Sequence, residues 1–250
     1  MPSAPSPPAS APNVLVTGAS RGIGLAIARR LAASGYTAVA LARTQGEALT
    51  AAIDEAAGRV AFVPFDLTNL DAIPDLAREL RVRFGPIWGL VNNAGLGTDG
   101  LLSNMHLTQI EALIRLNVTA PIVLTKYIVR GMMTGGGGRI VNMSSVIGTT
   151  GYSGLSVYGA TKASMIGFTK SLAREVGRLG VTVNAVAPGF IDTELTAGLG
   201  EDGREQVMRR SALRRLAEVD DVAAMVEFLM GDGGRNITGA VMTVDAGNTA

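Results

Sequence analysis

Short apolar runs alternate with longer amphipathic segments along this chain, and most of the runs are continuously apolar. Continuous apolar runs of strand length are typical of strands buried on both faces, as in a parallel sheet. The runs predict seven strands, at 13–18, 37–43, 60–66, 87–95, 139–145, 181–189 and 240–247. The amphipathic segments predict helices at roughly 22–34, 45–57, 69–84, 104–131, 155–179 and 218–230. The alternation predicts an α/β fold, a doubly wound parallel sheet with helices on both faces.

Two stretches fall outside this rhythm. The first residues, MPSAPSPPASAP, are rich in Pro, Ser and Ala, which predicts a disordered tail over 1–12 and a single domain over 13–250. The tail has neither a basic nor an apolar stretch, so we do not expect a signal peptide. Residues 189–216 are of mixed polarity with several glycines, which fits a mobile lid and equally well an ordinary surface excursion.

Composition and charge exclude several classes of function. The net charge of +1 gives no reason to expect bulk binding to nucleic acid or to an anionic membrane. The absence of cysteine excludes disulfides, cysteine metal sites and thiol nucleophiles, and fits a cytoplasmic location; we predict no metal site. No apolar run approaches the roughly 18 residues that a membrane span needs.

A glycine-rich stretch, TGASRGIG, follows the first strand and opens the first helix, with glycines at Gly18, Gly22 and Gly24. Glycine allows a sharp turn there, a close approach of a pyrophosphate to the backbone, and tight packing of the helix on the sheet. The free N–H groups at the helix N-terminus would then meet the phosphates. The spacing differs from the usual dinucleotide fingerprint, and a glycine turn without a ligand remains the alternative.

The end of the second strand indicates which dinucleotide is bound. NAD sites usually carry a carboxylate there for the ribose 2′-hydroxyl, whereas this chain has Arg43. Arg21 adds a second positive charge inside the glycine turn. Guanidinium groups bind a phosphate by two-point hydrogen bonding, so the pair favours NADP(H) over NAD(H). Two ordinary surface arginines are the alternative.

Further along the chain, Tyr158 and Lys162 lie one helical turn apart among small residues. Together TGASRGIG, the NNAG of 92–95, Asn117, Ser145, this Tyr/Lys pair and Pro188-Gly189 resemble the short-chain dehydrogenase/reductase family. The resemblance runs from about Asn13 to the C-terminus and is greatest to the 3-oxoacyl-(acyl-carrier-protein) reductases. It implies a Rossmann-like sheet of seven strands in the order 3-2-1-4-5-6-7. It also implies a homotetramer built through helices 104–131 and 155–179 and the last strand.

The resemblance also implies roles for individual residues. Tyr158 would be the proton donor, Ser145 would hold the substrate oxygen, Lys162 would bind the nicotinamide ribose, and the main-chain carbonyl of Asn117 would hold a relay water. The implied cofactor-binding residues are Gly18, Ser20, Arg21, Gly22, Ile23, Gly24, Arg43, Asp66, Leu67, Asn93, Ala94, Gly95, Tyr158, Lys162, Pro188, Gly189, Ile191 and Thr193.

Simple electrostatics explains the Tyr/Lys pair. An unperturbed tyrosine has a pKa of about 10 and is a poor acid at neutral pH. A lysine ammonium on the same helical face favours the phenolate, so we expect Lys162 to lower the pKa of Tyr158. Ser144 is adjacent to Ser145 and would point away from the site if it were still in the strand.

The sequence says less about the identity of the substrate than about the type of reaction. The carrier-protein reductases tend to place basic residues near the site mouth, before the fifth strand and after the Tyr/Lys helix. This chain has the uncharged stretch 135–138 at the first place and Arg178 at the second, with Arg130 nearby. A 3-oxoacyl thioester on acyl carrier protein or coenzyme A is the leading candidate. Another ketone, a sugar or a steroid-like alcohol, and a non-catalytic dinucleotide sensor, remain alternatives.

Pro121, inside helix 104–131, bears on the implied role of Asn117. Proline has no N–H to donate to the carbonyl four residues earlier, which here is the carbonyl of Asn117. The proline therefore either frees that carbonyl for a water or marks the first turn of a new helix.

Overall fold

A computed structural model describes residues 12–97, 100–191 and 200–250 of the 250-residue chain. Its strands are β1 Asn13–Thr17, β2 Thr37–Ala42, β3 Val60–Pro64, β4 Ile87–Asn92, β5 Gly138–Met143, β6 Val181–Pro188 and β7 Val241–Val244. Its helices are α1 Gly22–Ala33, α2 Gly46–Glu55, α3 Ile73–Phe84, α4 Leu107–Ile114, α5 Ala120–Thr134, α6 Ser156–Val176, α7 Gly200–Arg210 and α8 Val219–Met230.

The seven strands form one parallel sheet in the order β3-β2-β1-β4-β5-β6-β7. Every residue of β6 is buried, as expected for a strand covered on both faces. The order reverses between β1 and β4, and in such sheets ligands bind in the crevice at the carboxyl ends of the strands beside this reversal. The predicted fold class and strand order are confirmed.

Helices cover both faces of the sheet. On one face α1, α2 and α8 pack through side chains such as Ile27, Leu49 and Val226. On the other face α3, α5 and α6 pack through side chains such as Leu124 and Leu172. Burial of these two apolar layers is the main favourable contribution to the free energy of folding. Their close packing keeps the carboxyl edge of the sheet rigid beneath the loops that follow the strands.

The predicted helix 104–131 is wrong in detail. It begins at Leu107, changes to a π-helical turn over Arg115–Thr119, and continues as α5 to Thr134. Likewise α6 ends at Val176 and a short 3₁₀ turn follows it over Gly177–Leu179. The reason is that apolar spacing is similar in α- and π-turns, so the hydrophobic pattern alone does not separate them.

Part of the segment 189–216 forms helix α7, which the sequence pattern did not predict because its residues are mostly polar. The segment is tied to the sheet where Ile191 pairs with Ala217 in an isolated bridge. Residues 192–199 lie outside the described part of the chain, so the choice between a lid and a surface excursion stays a prediction.

The tail prediction also falls outside the described residues, except at Pro12. The carbonyl of Pro12 accepts a hydrogen bond from Thr37 N at 3.1 Å. Pro12 is therefore bonded to β2 at the amino end of β1 and is not part of the tail.

Within the described residues, the helical stretch Leu107–Thr134 is long and apolar enough to cross a membrane by length and composition alone. No uninterrupted apolar run of that length stands in the sequence, and 44% of the apolar window is buried inside the protein. The buried face of α5, including Leu124 and Ile128, packs in the core beneath the sheet. Packing on the sheet therefore accounts for the apolar residues on the buried face of this helix.

Candidate active site

The glycine turn lies between the carboxyl end of β1 and α1. Gly18 N donates to the carbonyl of Leu41 at 2.8 Å, which ties the turn to β2. Gly18 and Gly22 have φ of 66° and 54°, a region that glycine adopts far more easily than other residues. A Cβ on Gly24 would lie 2.5 Å from Asn93 Nδ2 and closer still to the carbonyl oxygen of Gly18. The glycines therefore serve both the turn and the close packing of α1.

The residues around this turn fit an anionic dinucleotide. Gly22 is exposed at the start of α1, and the first turn of that helix contains no acidic residue that would repel a phosphate. Arg21 is the exposed N-cap residue in extended conformation. Arg43 is exposed directly after β2, and its charge helps to lower the pKa of Asp66, though hydrogen bonds from Thr68 are the larger cause.

Thr17, which the sequence analysis did not single out, holds the turn against the next strand. Its Oγ1 accepts hydrogen bonds from the backbone N–H groups of Asn93 and Ala94, each at 2.9 Å. The side chain of Asn93 donates to the carbonyl of Thr17, also at 2.9 Å. The ends of β1 and β4 are thereby locked together at the reversal of strand order, so the predicted residues Asn93 and Ala94 line the crevice.

The predicted Ser145, Tyr158 and Lys162 lie together. Ser145 follows the carboxyl end of β5, and its hydroxyl accepts a hydrogen bond from Ile147 N at 3.2 Å. The same hydroxyl lies near enough to Tyr158, in the first turn of α6, to act on the pKa of that phenol. Lys162 Nζ lies 5.7 Å from the centroid of the Tyr158 ring and donates to the carbonyl of Met143 at 3.0 Å. Ser144 lies just beyond the end of β5, so the condition of the prediction is not met, and its hydroxyl donates to the main-chain carbonyl of Lys162 at 2.8 Å.

Asn117 lies in the π-helical turn and is buried. Its side chain donates to the carbonyl of Leu96 and accepts from Leu96 N, both at 2.8 Å, which fixes the loop after β4. The same amide donates to Thr161 Oγ1 at 3.1 Å, and Thr161 in turn donates to the carbonyl of Tyr158 at 2.7 Å. A Cβ on Gly95 would lie 3.3 Å from Asn117 Oδ1 and 3.5 Å from Lys162 Nζ, so all four predicted catalytic residues share one site.

Comparison with known proteins identifies the family to which the chain belongs. The sequence profile of the family described as short chain dehydrogenase matches residues 12–204. The chain belongs to the short-chain dehydrogenase family. It is 42% identical over 234 residues to the 3-oxoacyl-(acyl-carrier-protein) reductase FabG of Vibrio harveyi. The aligned region covers 93% of this chain and 95% of that protein. The predicted resemblance is confirmed, and this short-chain dehydrogenase is an oxidoreductase.

Solved structures of other short-chain dehydrogenases superpose closely on this one. A blue fluorescent protein from a metagenomic library, in complex with NADPH, has a TM-score of 0.90 and 35% identity over 96% of this chain and 99% of that one. A gluconate 5-dehydrogenase from Burkholderia cenocepacia, in complex with NADP and tartrate, has a TM-score of 0.91 and 28% identity over 96% of both chains.

The electrostatics of this short-chain dehydrogenase correct one expectation. Burial raises the pKa of Tyr158, and the nearby Ser145 hydroxyl opposes that shift without outweighing it. Burial also lowers the pKa of Lys162 to about 8. The expected lowering of the Tyr158 pKa by Lys162 was therefore wrong for the chain itself, because desolvation of the phenolate dominates. The phenol therefore carries its proton at neutral pH, and the raised pKa makes it a weaker acid than an exposed tyrosine.

A layer of buried polar side chains below the site was missed by the sequence analysis. Asn92 Nδ2 donates to Thr125 Oγ1 at 2.9 Å and to Asn142 Oδ1 at 2.8 Å. Asn142 Nδ2 donates to Thr169 Oγ1 at 2.9 Å. The layer joins α5 to α6 through β4 and β5, so it fixes the two helices that carry Asn117 and Lys162. Only the doubled asparagine of NNAG hinted at it.

The remaining predicted cofactor residues lie along the same carboxyl edge. Asp66 follows β3 and accepts from Thr68 N at 2.9 Å in a tight turn, and Leu67 beside it is buried. Pro188 ends β6, and a Cβ on Gly189 would lie 2.6 Å from Cβ of Asp245. Ser20 and Ile23 belong to the glycine turn and to α1, and Ile191 is buried. Thr193 lies outside the described residues.

Proposed function

We propose that this protein is an NADPH-dependent carbonyl reductase whose main substrates are 3-oxoacyl thioesters of acyl carrier protein or coenzyme A. The proposal rests on one observation above all, the placing of the Ser145 hydroxyl near Tyr158 with Lys162 beside the same ring. These groups lie at the carboxyl edge of the sheet, where the loop after β4 is hydrogen-bonded to the end of β1. A bound reduced nicotinamide would supply the hydride.

In this mechanism the chain supplies the proton and the orientation. The Tyr158 hydroxyl donates its proton to the carbonyl oxygen of the substrate, and the Ser145 hydroxyl holds that oxygen by a second hydrogen bond. Lys162 is charged at neutral pH with its pKa near 8, so it stabilises the phenolate that remains. Its hydrogen bond to the Met143 carbonyl keeps Nζ in place beside the ring.

The direct test is a screen for NADPH oxidation, followed by absorbance, with acetoacetyl thioesters and simple ketones in parallel. The proposal expects the thioesters to be reduced with the higher kcat/KM. A higher kcat/KM for sugars or plain ketones would favour the alternative of another small carbonyl substrate. Binding of NADPH without reduction of any carbonyl would favour a non-catalytic dinucleotide sensor.

Two features support NADP(H) as the cofactor. Arg21 and Arg43 are exposed at the two loops that flank the predicted ribose position. Two solved structures with nearly the same fold hold NADPH and NADP. The 2′-phosphate that distinguishes NADP from NAD is the group that a guanidinium binds best.

Arg43→Asp is expected to reverse or abolish the preference for NADPH. The substitution removes the positive charge and places a carboxylate where NAD sites carry one, so we expect the ratio of kcat/KM for NADPH over NADH to fall at least about tenfold, equivalent to about 1.4 kcal/mol. The ratio is measured with both cofactors on one substrate. Arg235→Asp, an exposed arginine at the amino edge of the sheet, is the control. Equal efficiency of the wild type with both cofactors contradicts the proposal.

Pro121→Ala tests whether the proline matters for the π-helical turn. The structure places Pro121 in the first turn of α5, directly after the π-turn in which Ala120 N donates to the Arg115 carbonyl. An alanine adds an N–H that can bond to the Asn117 carbonyl and close the turn. We expect several-fold lower kcat with little change in NADPH affinity or Tm. The control is Pro74→Ala in the first turn of α3, and unchanged kcat makes Pro121 only a helix start.

The predicted docking of acyl carrier protein needs a correction in geometry. Helices α5 and α6 run from the site toward the amino edge of the sheet, where Gly138 N meets the carbonyl of Gly180. Arg130 and Arg178 lie near those far ends, so within one chain they are not at the mouth of the site. Docking through them requires a second copy of the chain. The predicted homotetramer would provide one, and its mass in solution by light scattering tests that prediction.

A further inference from the structure

The substrate side of the site has a rim made of two loops that are hydrogen-bonded to each other. The first loop follows β4, and the second leads from Ser145 to the start of α6. Gly100 N donates to the carbonyl of Gly154 at 3.0 Å, which joins the loops. Because Ser145 and Tyr158 lie at the two ends of the second loop, this loop borders the place where the reacting carbonyl would bind.

An aromatic pair extends this rim to the next strand. The ring of Tyr152 lies 5.7 Å from that of Phe190, with an interplanar angle of 59°. Phe190 follows the end of β6, the neighbour of β5 in the sheet. Leu155 N donates to the carbonyl of Tyr152, and Gly159 N to that of Leu155, so the turn that carries Tyr152 continues into the first turn of α6. The pair therefore bridges two loops beside Tyr158.

The described residues of these loops, 93–97, 100–106, 144–155 and 189–191, contain no Asp, Glu, Lys or Arg. They do contain large apolar side chains that are left exposed, namely Leu96, Leu101, Leu102 and Tyr152. A carboxylate or phosphate next to the reacting carbonyl would lose hydration here without gaining a lysine or arginine partner from these residues. An apolar chain or ring would instead cover exposed apolar surface.

We propose that Tyr152, supported by Phe190, is a specificity-determining residue that contacts the group attached to the substrate carbonyl. It selects neutral carbonyl compounds with an extended apolar chain or ring over charged or polyhydroxylated ones. The inference rests on the proposed carbonyl reductase activity and deepens it. Each CH₂ of the substrate that is fully buried against Tyr152 and Phe190 contributes about 0.8 kcal/mol of transfer free energy. We therefore expect each such CH₂ to raise kcat/KM by about fourfold.

The test compares acetoacetyl, 3-oxohexanoyl and 3-oxooctanoyl thioesters of N-acetylcysteamine, together with a polyhydroxylated keto acid. In the wild type, kcat/KM should rise along the series, with the keto acid the poorest substrate. In Tyr152→Ala, the 3-oxooctanoyl ester should lose about tenfold and the acetoacetyl ester less than about twofold, because only the longer chain reaches the missing ring. The Kd for NADPH should stay unchanged, and Tyr152→Phe should restore the wild-type slope.

Phe228→Ala is the matched control. Phe228 and Tyr152 are each 46% exposed, but Phe228 lies near the end of α8, where the carbonyl of Met230 accepts from the Tyr36 hydroxyl at the amino edge of the sheet. Its loss should leave the chain-length slope intact. A slope that is flat in the wild type, equal losses for all esters in Tyr152→Ala, or the keto acid as best substrate would each overturn the inference.

Absence of the carbonyl reductase activity itself looks different, since no carbonyl compound would then be reduced at all. The inference is still tested in that case by calorimetric binding of the matching 3-hydroxyacyl thioesters to the protein with NADP. An affinity that rises with chain length in the wild type but not in Tyr152→Ala supports the proposed contact between Tyr152 and the substrate chain. Affinity independent of chain length overturns it.

Discussion

Tyr158→Phe is expected to lower kcat about a thousandfold, within the range that positioned acid–base groups contribute. The substitution keeps the ring and removes the proton that Tyr158 would transfer to the substrate oxygen. Ser145 can still hold that oxygen, but an aliphatic hydroxyl is a far weaker acid than a phenol and does not replace the lost proton donor. Because the glycine turn and the arginines are untouched, NADPH should bind with an unchanged Kd, measured by nucleotide fluorescence.

Tyr36→Phe is the matched control for Tyr158→Phe. Burial raises the pKa of Tyr36 as it does that of Tyr158, and the Tyr36 hydroxyl donates to the carbonyl of Met230 at the opposite edge of the sheet. Its loss should reduce stability slightly and leave kcat unchanged. Near-normal turnover in Tyr158→Phe would remove this residue from the mechanism.

Gly24→Ala is expected to abolish tight NADPH binding and to destabilise the fold by roughly 3 kcal/mol, the upper part of the usual range for an overpacked site. The added Cβ would overlap the carbonyl oxygen of Gly18, which is backbone and cannot rotate away, and would press on the side chain of Asn93. Either α1 moves off the sheet or the glycine turn changes shape. Urea unfolding and NADPH titration measure the two effects.

Gly177→Ala makes the same chemical change without the clash. Gly177 is exposed after α6 with φ −57° and ψ −39°, and a Cβ there would meet nothing within 4 Å. We expect this variant to be as stable as the wild type or slightly more so, because alanine loses less backbone entropy on folding. If Gly24→Ala behaves like this control, the close packing of α1 is not needed for the cofactor site.

The strands were the most predictable part of the fold. A strand buried on both faces has to be apolar at every position, so runs such as 181–189 reveal it directly, and its observed limits are Val181–Pro188. Helix α7 was not predictable in this way because few of its residues are buried. The π-turn at Asn117 was invisible to periodicity, although Pro121 pointed to an irregularity there.

In the site, the residues that could be predicted are those whose chemistry is carried by short motifs. Thr161 and Asn142 were missed because their roles depend on partners far along the chain, Asn117 and Thr169. The pKa of Tyr158 was predicted in the wrong direction because the pattern shows the neighbouring charge but not the depth of burial. Contacts through space and desolvation are the two things that a linear sequence reports least.

The buried Lys162 is proposed to be needed for activity, but its burial lowers the stability of the fold. Its pKa is about 8 when folded and near the ordinary 10.5 when unfolded, so the unfolded chain binds more protons between these values. The stability of the fold therefore rises as pH increases from about 8 to 10.5, and at neutral pH the charged lysine lowers stability by about 3 kcal/mol. A search for heat-resistant variants without an activity screen would replace this lysine with an apolar residue and return an inert protein.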